Sequence, residues 1–126
     1  MVEHGPFIAV VDDDSPVRTM LARVLRLANF RVADFSSGGH FLGALEVQAP
    51  ACAIVDLHMP GLSGFEVLTR MRAANVHVPV ILMTGSDDDA LERSAIAATA
   101  TRLLRKPFSS TELLTAIAAA TGLQTP

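Results

Sequence analysis

The chain has little with which to build a covalent or soft-metal framework. It carries one cysteine, Cys52, so no disulfide can form within it, and a reducing compartment is expected. Cys52 stands at the start of an apolar strand, where a buried structural thiol is expected. His4, His40 and His77 show no metal-ligand spacing. Long apolar runs are missing too. None approaches the ~18 residues of a membrane span, and Met1 to Pro6 lacks the basic segment and apolar stretch of a secretory signal. An excess of positive charge is also absent. The net charge is −3, which argues against direct nucleic-acid binding. No internal repeat and no low-complexity tract is visible. These absences lead to the expectation of a soluble, cytoplasmic protein that neither enters a membrane nor binds nucleic acid directly.

What is present is apolar residues in short, punctuated runs. Half of the 126 residues are apolar and 18% are charged, enough for one domain with a real core and too apolar for disorder. Phe7–Val11 reads as a first strand. Ser15 and Pro16 then open a helix, with Ser15 as N-cap. Val17, Met20, Leu21, Val24 and Leu25 form its buried face, and Arg18, Arg23 and Arg26 its polar faces. Asn29 is a helix end, and residues 30–35 alternate like a second strand. Ser36, Ser37, Gly38 and Gly39 read as a loop, followed by an amphipathic stretch over about 40–47. A third strand over 51–55 ends at Asp56. A helix is expected over about 64–74 and a fourth strand over 78–83. A helix beginning at Asp87, Asp88 and Asp89 runs to about 98, where carboxylates suit the positive end of the dipole. A fifth strand covers 101–104. A last helix, capped by Ser109 or Ser110, ends before Gly122. Five strands alternating with five helices predict an α/β fold with a parallel sheet covered on both faces.

The stretch from Ala53 to Gly64 organises the rest. Ala53, Ile54 and Val55 run into one carboxylate, Asp56, and a loop punctuated by Pro60, Gly61 and Gly64 follows. Asp56 is therefore expected at the carboxyl end of a strand, where ligands collect in open parallel sheets. The first strand ends in Asp12, Asp13 and Asp14, the fourth in Thr84, and the fifth leads to Lys106. In a parallel sheet all these ends share one edge. Singly, each residue has a plain alternative: a helix-capping cluster, a turn threonine, a surface lysine. Together they suggest chemistry. Crowded carboxylates raise one another's pKa unless positive charge sits among them. Mg²⁺, with one or two protein carboxylates, waters and phosphate oxygens, suits such a site. An ionised Asp56 beside Mg²⁺ and Lys106 needs no general base to receive a phosphoryl group. The Thr84 hydroxyl can donate to a phosphate oxygen.

With Asp12-Asp13, the run Asp56-Leu57-His58-Met59-Pro60-Gly61, Thr84-Gly85 and Lys106-Pro107-Phe108 in place, the chain resembles the receiver domain of bacterial two-component response regulators. The likeness covers about residues 7–121, and implies a single receiver domain over 1–126 with a flavodoxin-like (βα)5 fold. It implies a signalling domain, not an enzyme with turnover, that assists its own aspartyl phosphorylation and dephosphorylation. Asp56 would be the phosphoacceptor, fed by a phosphohistidine on a sensor histidine kinase. Asp13 and Asp56 would bind Mg²⁺ by side chain, Asp12 mostly through water, and His58 through its backbone carbonyl. Thr84 matches the switch hydroxyl and Lys106 the phosphate-pairing lysine. His58 and Ser86 match positions that tune the lifetime of the phosphoryl group. A downstream output domain or protein is implied as partner, and a homodimer through the face of the fourth helix, fifth strand and fifth helix.

Two positions depart from the family pattern. Leu103 stands where an aromatic residue is usual, three before the lysine, and Ala98-Thr99-Ala100 replaces a common Ala-Gly-Ala. Both bear on how a signal would reach the surface, and Leu103 predicts a weaker or differently coupled switch. Two rival readings remain. One is a receiver-like interaction module that works without phosphorylation. The other is a phosphatase of the haloacid dehalogenase type, with Asp12 and Asp14 as its paired aspartates.

Overall fold

The computed structural model describes residues 6–85 and 102–122. Strands β1 (Phe7–Val11), β2 (Arg31–Phe35), β3 (Cys52–Asp56), β4 (Val80–Thr84) and β5 (Arg102–Arg105) form one sheet. Helices α1 (Ser15–Leu27), α2 (Gly38–Leu45), α3 (Gly64–Ala73) and α4 (Ser110–Thr121) accompany them. The helix expected over about 87–98, and Ser86, lie outside the described residues.

Every pairing is parallel, in the order β2-β1-β3-β4-β5. This is the flavodoxin-like order, with the switch point between β1 and β3, where the strand order reverses. β3 and β4 lie inside the sheet and every one of their residues is buried. That is why they read as unbroken apolar runs. β2 and β5, at the edges, are only partly covered, and each keeps exposed residues.

Alternate strand residues feed two cores. Ile8, Val10, Ile54, Ile81 and Met83 pack with Leu21 and Leu25 of α1 and Leu113 and Ile117 of α4. Ala9, Val11, Val55 and Leu82 pack on the other face with Phe41 of α2 and Val67, Leu68 and Met71 of α3. Cys52 is fully buried, and burial pushes its thiol up to about 12.

Local chemistry moved several boundaries. Asp14, not Ser15, is the N-cap of α1: its side chain accepts the Val17 N–H, and Ser15 becomes the first helical residue. Both types cap well, and Asp14 comes first with the extended backbone the position needs. α2 begins earlier than expected, because Ser37 accepts the His40 N–H and draws Gly38 and Gly39 into the first turn. β4 begins two residues later than expected, at Val80. Pro79 has no N–H for the ladder but still accepts from the Ala53 N–H through its carbonyl. Ser109 is the cap of α4, and Gly122 closes that helix in the left-handed conformation.

Candidate functional site

The site lies where the strands run out. β1 ends at Val11, and the chain turns at once through Asp12, Asp13 and Asp14 into α1. Asp56 is the last residue of β3 and is paired in register with Met83. The Leu57 N–H donates to the Met83 carbonyl at 2.9 Å, extending that ladder past Asp56. The chain then loops back into α3, which starts on a reciprocal cap: Ser63 accepts the Glu66 N–H while the Glu66 carboxylate accepts the Ser63 N–H. Such a cap contributes about 1 kcal/mol. Gly64 follows, pressed against the backbone of Asp56 and Leu57, and its N–H donates to the Leu57 carbonyl at 2.9 Å. The floor beneath Asp56 is thus backbone against backbone.

Thr84 ends β4 and is fully buried. Its carbonyl accepts the Lys106 N–H at 2.8 Å, which fastens the lysine to the sheet edge. A cis peptide joins Lys106 to Pro107, and the Ser109–Glu112 capping box opens α4 beyond it. Lys106, the chain's single lysine among ten basic residues, reaches inward. Its Nζ lies 3.3 Å from Asp56 Oδ1 and 3.7 Å from Asp12 Oδ2.

Asp12, Asp13 and Asp56 each offer a carboxylate oxygen within 4.8 Å of the others. Asp12 is fully buried, Asp56 is 8% exposed, and Asp13 opens to solvent. Burial holds the Asp12 carboxyl above the usual carboxylate range. The hydrogen bond from the Asp14 N–H opposes this shift, the Asp56 charge adds to it, and Lys106 partly offsets it. Asp12 Oδ2 is buried with no hydrogen-bond partner. One lysine facing three carboxylates leaves a net negative charge. An unsatisfied buried oxygen and a clustered all-oxygen donor set fit a hard divalent cation such as Mg²⁺.

The expected residues are therefore largely together: Asp12, Asp13, Asp56 and Lys106 meet, with Thr84 at the end of the neighbouring strand. The His58 side chain is exposed. Asp14 is turned to the helix cap, so the pair of aspartates that the phosphatase reading requires does not assemble. His40 and His77 are exposed.

One residue escaped the sequence reading. Arg18, which the helical spacing assigns to a polar face, is largely buried, with its side chain 17% exposed. Its Nη1 donates to the Asp12 carbonyl at 2.8 Å and its Nε pairs with Asp34 Oδ2 at 3.3 Å. The available signal was position: a long side chain one turn into a helix leans back over the turn before it.

The sequence matches the family model described as the response regulator receiver domain over residues 8–118. It is 34% identical to nodulation protein W of Bradyrhizobium diazoefficiens over 90% of this chain and 50% of that protein. It is 36% identical to the transcriptional regulatory protein FixJ of Azorhizobium caulinodans over 91% of this chain and 54% of that protein. The chain thus spans about half the length of these curated relatives. The crystal structure of FixJ-N superposes with a TM-score of 0.89 at 30% identity, covering 98% of both chains. No described helix is long and apolar enough to cross a membrane. Strand order, the acidic sheet edge with its lysine, and a family match spanning nearly the whole chain agree: the chain belongs to the response regulator receiver domain family.

Proposed function

We propose that this domain accepts a phosphoryl group on Asp56 from a phosphohistidine of a sensor histidine kinase. The observation that carries this is Asp56 at a strand end, nearly buried, within 4.8 Å of the Asp12 and Asp13 carboxylates and 3.3 Å from Lys106. In the transfer, an Asp56 carboxylate oxygen forms a bond to phosphorus as the phosphorus–nitrogen bond breaks. The electron pair leaves on the imidazole nitrogen. Asp56 is an adequate nucleophile when ionised, so the site's task is positioning and neutralisation.

Asp13 and Asp56 would hold Mg²⁺ by side chain, Asp12 mostly through water, and His58 through its carbonyl. When bound, Mg²⁺ supplies charge neutralisation at the phosphoryl oxygens. Lys106 pairs with a phosphoryl oxygen, and its backbone tie to Thr84 keeps it aimed at Asp56. The Thr84 hydroxyl donates to another oxygen and couples occupancy to the end of β4. The same groups would assist loss of the phosphoryl group to water, with His58 and Ser86 tuning its lifetime. The domain is then a single cytoplasmic receiver over 1–126 that signals to an output domain or protein, or to a second copy through β5, α4 and the segment between β4 and β5.

The test is transfer from a phosphorylated histidine-kinase domain. The chain should take up the label and Asp56→Asn should not. Equal labelling of both would sink the assignment of Asp56. No labelling of either would favour a module that works without phosphorylation.

A further inference from the structure

The turn Asp12-Asp13-Asp14 is held from several sides. The Asp12 N–H donates to the Phe35 carbonyl at the end of β2, at 3.1 Å. The Asp12 carbonyl accepts from Arg18 Nη1 at 2.8 Å. Asp12 Oδ1 accepts the Asp14 N–H at 2.9 Å. The guanidinium is itself fixed by Asp34, also near the end of β2. Three elements therefore meet on this turn: β1 carries it, α1 supplies the arginine, and β2 supplies Phe35 and Asp34.

The atom that Arg18 grips matters. The Asp12 carbonyl belongs to the planar peptide unit linking Asp12 to Asp13. Rotating that plane swings the two side chains relative to one another. Fixing its oxygen sets how the Asp12 and Asp13 carboxylates face Asp56. The geometry points to Arg18 as a positioning residue for the divalent-cation site, acting through the Asp12–Asp13 peptide with Asp34 as its brace. This rests on the reading of the acidic cluster as a Mg²⁺ site. Arg18 touches neither cation nor phosphoryl group. Its planar fork serves a carbonyl and a carboxylate at once, which the point charge of a lysine cannot reproduce in the same geometry.

Electrostatics alone predicts the opposite sign. Arg18 brings positive charge close to a cation site, so removing that charge should tighten cation binding. If Arg18 positions the ligands, removing it should loosen binding, because the peptide plane is freed. Groups that orient metal ligands typically matter by 10- to 100-fold in affinity.

The experiment is calorimetric titration of the full chain with MgCl₂ alone, well below the melting temperature, for wild type, Arg18→Gln and Arg18→Lys. Arg18→Lys keeps the charge and most of the aliphatic stem, so it guards against a variant that fails to fold. Both variants should bind Mg²⁺ about tenfold more weakly than wild type. A merely structural role would lower thermal stability with and without Mg²⁺ alike and leave the Mg²⁺ affinity unchanged, which would overturn the proposal. Tighter binding by Arg18→Gln with unchanged binding by Arg18→Lys would also overturn it, in favour of charge alone. Absence of Mg²⁺ binding by the wild type would overturn the cation site itself and this role with it, an outcome distinct from failure of Arg18 alone.

Discussion

Gly64→Ala should damage both stability and the site. Gly64 is buried in the first turn of α3, and a Cβ there would stand 2.9 Å from Leu57 Cα and closer still to the Asp56 carbonyl oxygen. Neither neighbour is a side chain that could rotate away. Asp56 is tied into β3, and Leu57 bonds to Met83 on one side and Gly64 on the other. Relief requires α3 or the Asp56–Leu57 backbone to shift by several tenths of an ångström. Overpacking of this kind costs about 1–3 kcal/mol. For a domain of this size that is a fall in melting temperature of roughly 4–12 °C. Gly39→Ala is the control, because a Cβ there meets nothing within 4 Å. Helix propensity should make that variant neutral or more stable by about 0.5 kcal/mol. The assay is thermal unfolding of all three proteins, with phosphoryl uptake measured on each. Gly64→Ala should also take up phosphoryl groups more slowly, since its carboxylate moves with the backbone. A Gly64→Ala variant as stable and as reactive as wild type would refute the reasoning.

Further outcomes follow from the same structure. Asp12 has its folded pKa raised above the ordinary carboxylate value, chiefly by burial, so ionising it costs folding free energy. That cost is absent below the unfolded pKa and fully present above the folded one, so metal-free stability should fall as pH rises through this window. Asp12→Asn should remove that component and, because the burial of this charge outweighs its 3.7 Å ion pair with Lys106, raise metal-free stability near neutral pH by on the order of 1 kcal/mol. It should also reduce the stabilisation that added Mg²⁺ gives the wild type. A melting-temperature series against pH, with and without MgCl₂, checks both, and a variant that tracks wild type throughout would contradict them. Cys52, fully buried with its thiol pushed up to about 12, should resist a thiol reagent in the native state and react on unfolding, and rapid native labelling would be inconsistent with the described core. Leu103 is partly buried and packs against the α2–α3 core, with no ring to change rotamer. Structures with and without a phosphoryl mimic should therefore be nearly identical along β5 and α4, and a large rearrangement there would exclude a weakened switch.

The strand ends were legible because each apolar run stops on a polar residue of definite chemistry. Val11 gives way to Asp12, Val55 to Asp56 and Met83 to Thr84, while Lys106 comes just after β5. Parallel topology then brings these ends to one edge without any long-range information. Boundaries set by a single hydrogen bond were less legible. Asp14 and Ser15 are both good caps, and only backbone geometry decides between them. β4 starts late because Pro79 lacks a donor, although the apolar pattern runs through it. The role of Arg18 is not legible because one partner is a backbone carbonyl, which has no residue signature, and the other, Asp34, lies on a different element. Gly64 reads as turn punctuation, whereas its role is the contact with the Asp56 backbone. In each case the missing information is the geometry of the main chain, local at the Asp14 cap and tertiary at Arg18 and Gly64.

The most direct test of the central claim needs no partner protein. Intact mass would be measured after incubation with acetyl phosphate, with and without MgCl₂, for wild type and Asp56→Asn. Wild type should gain one phosphoryl group only when Mg²⁺ is present, and Asp56→Asn should gain none. A gain by Asp56→Asn equal to wild type, or a gain by wild type undiminished when Mg²⁺ is removed by chelation, would contradict Asp56 as the acceptor or the acidic cluster as its cation site.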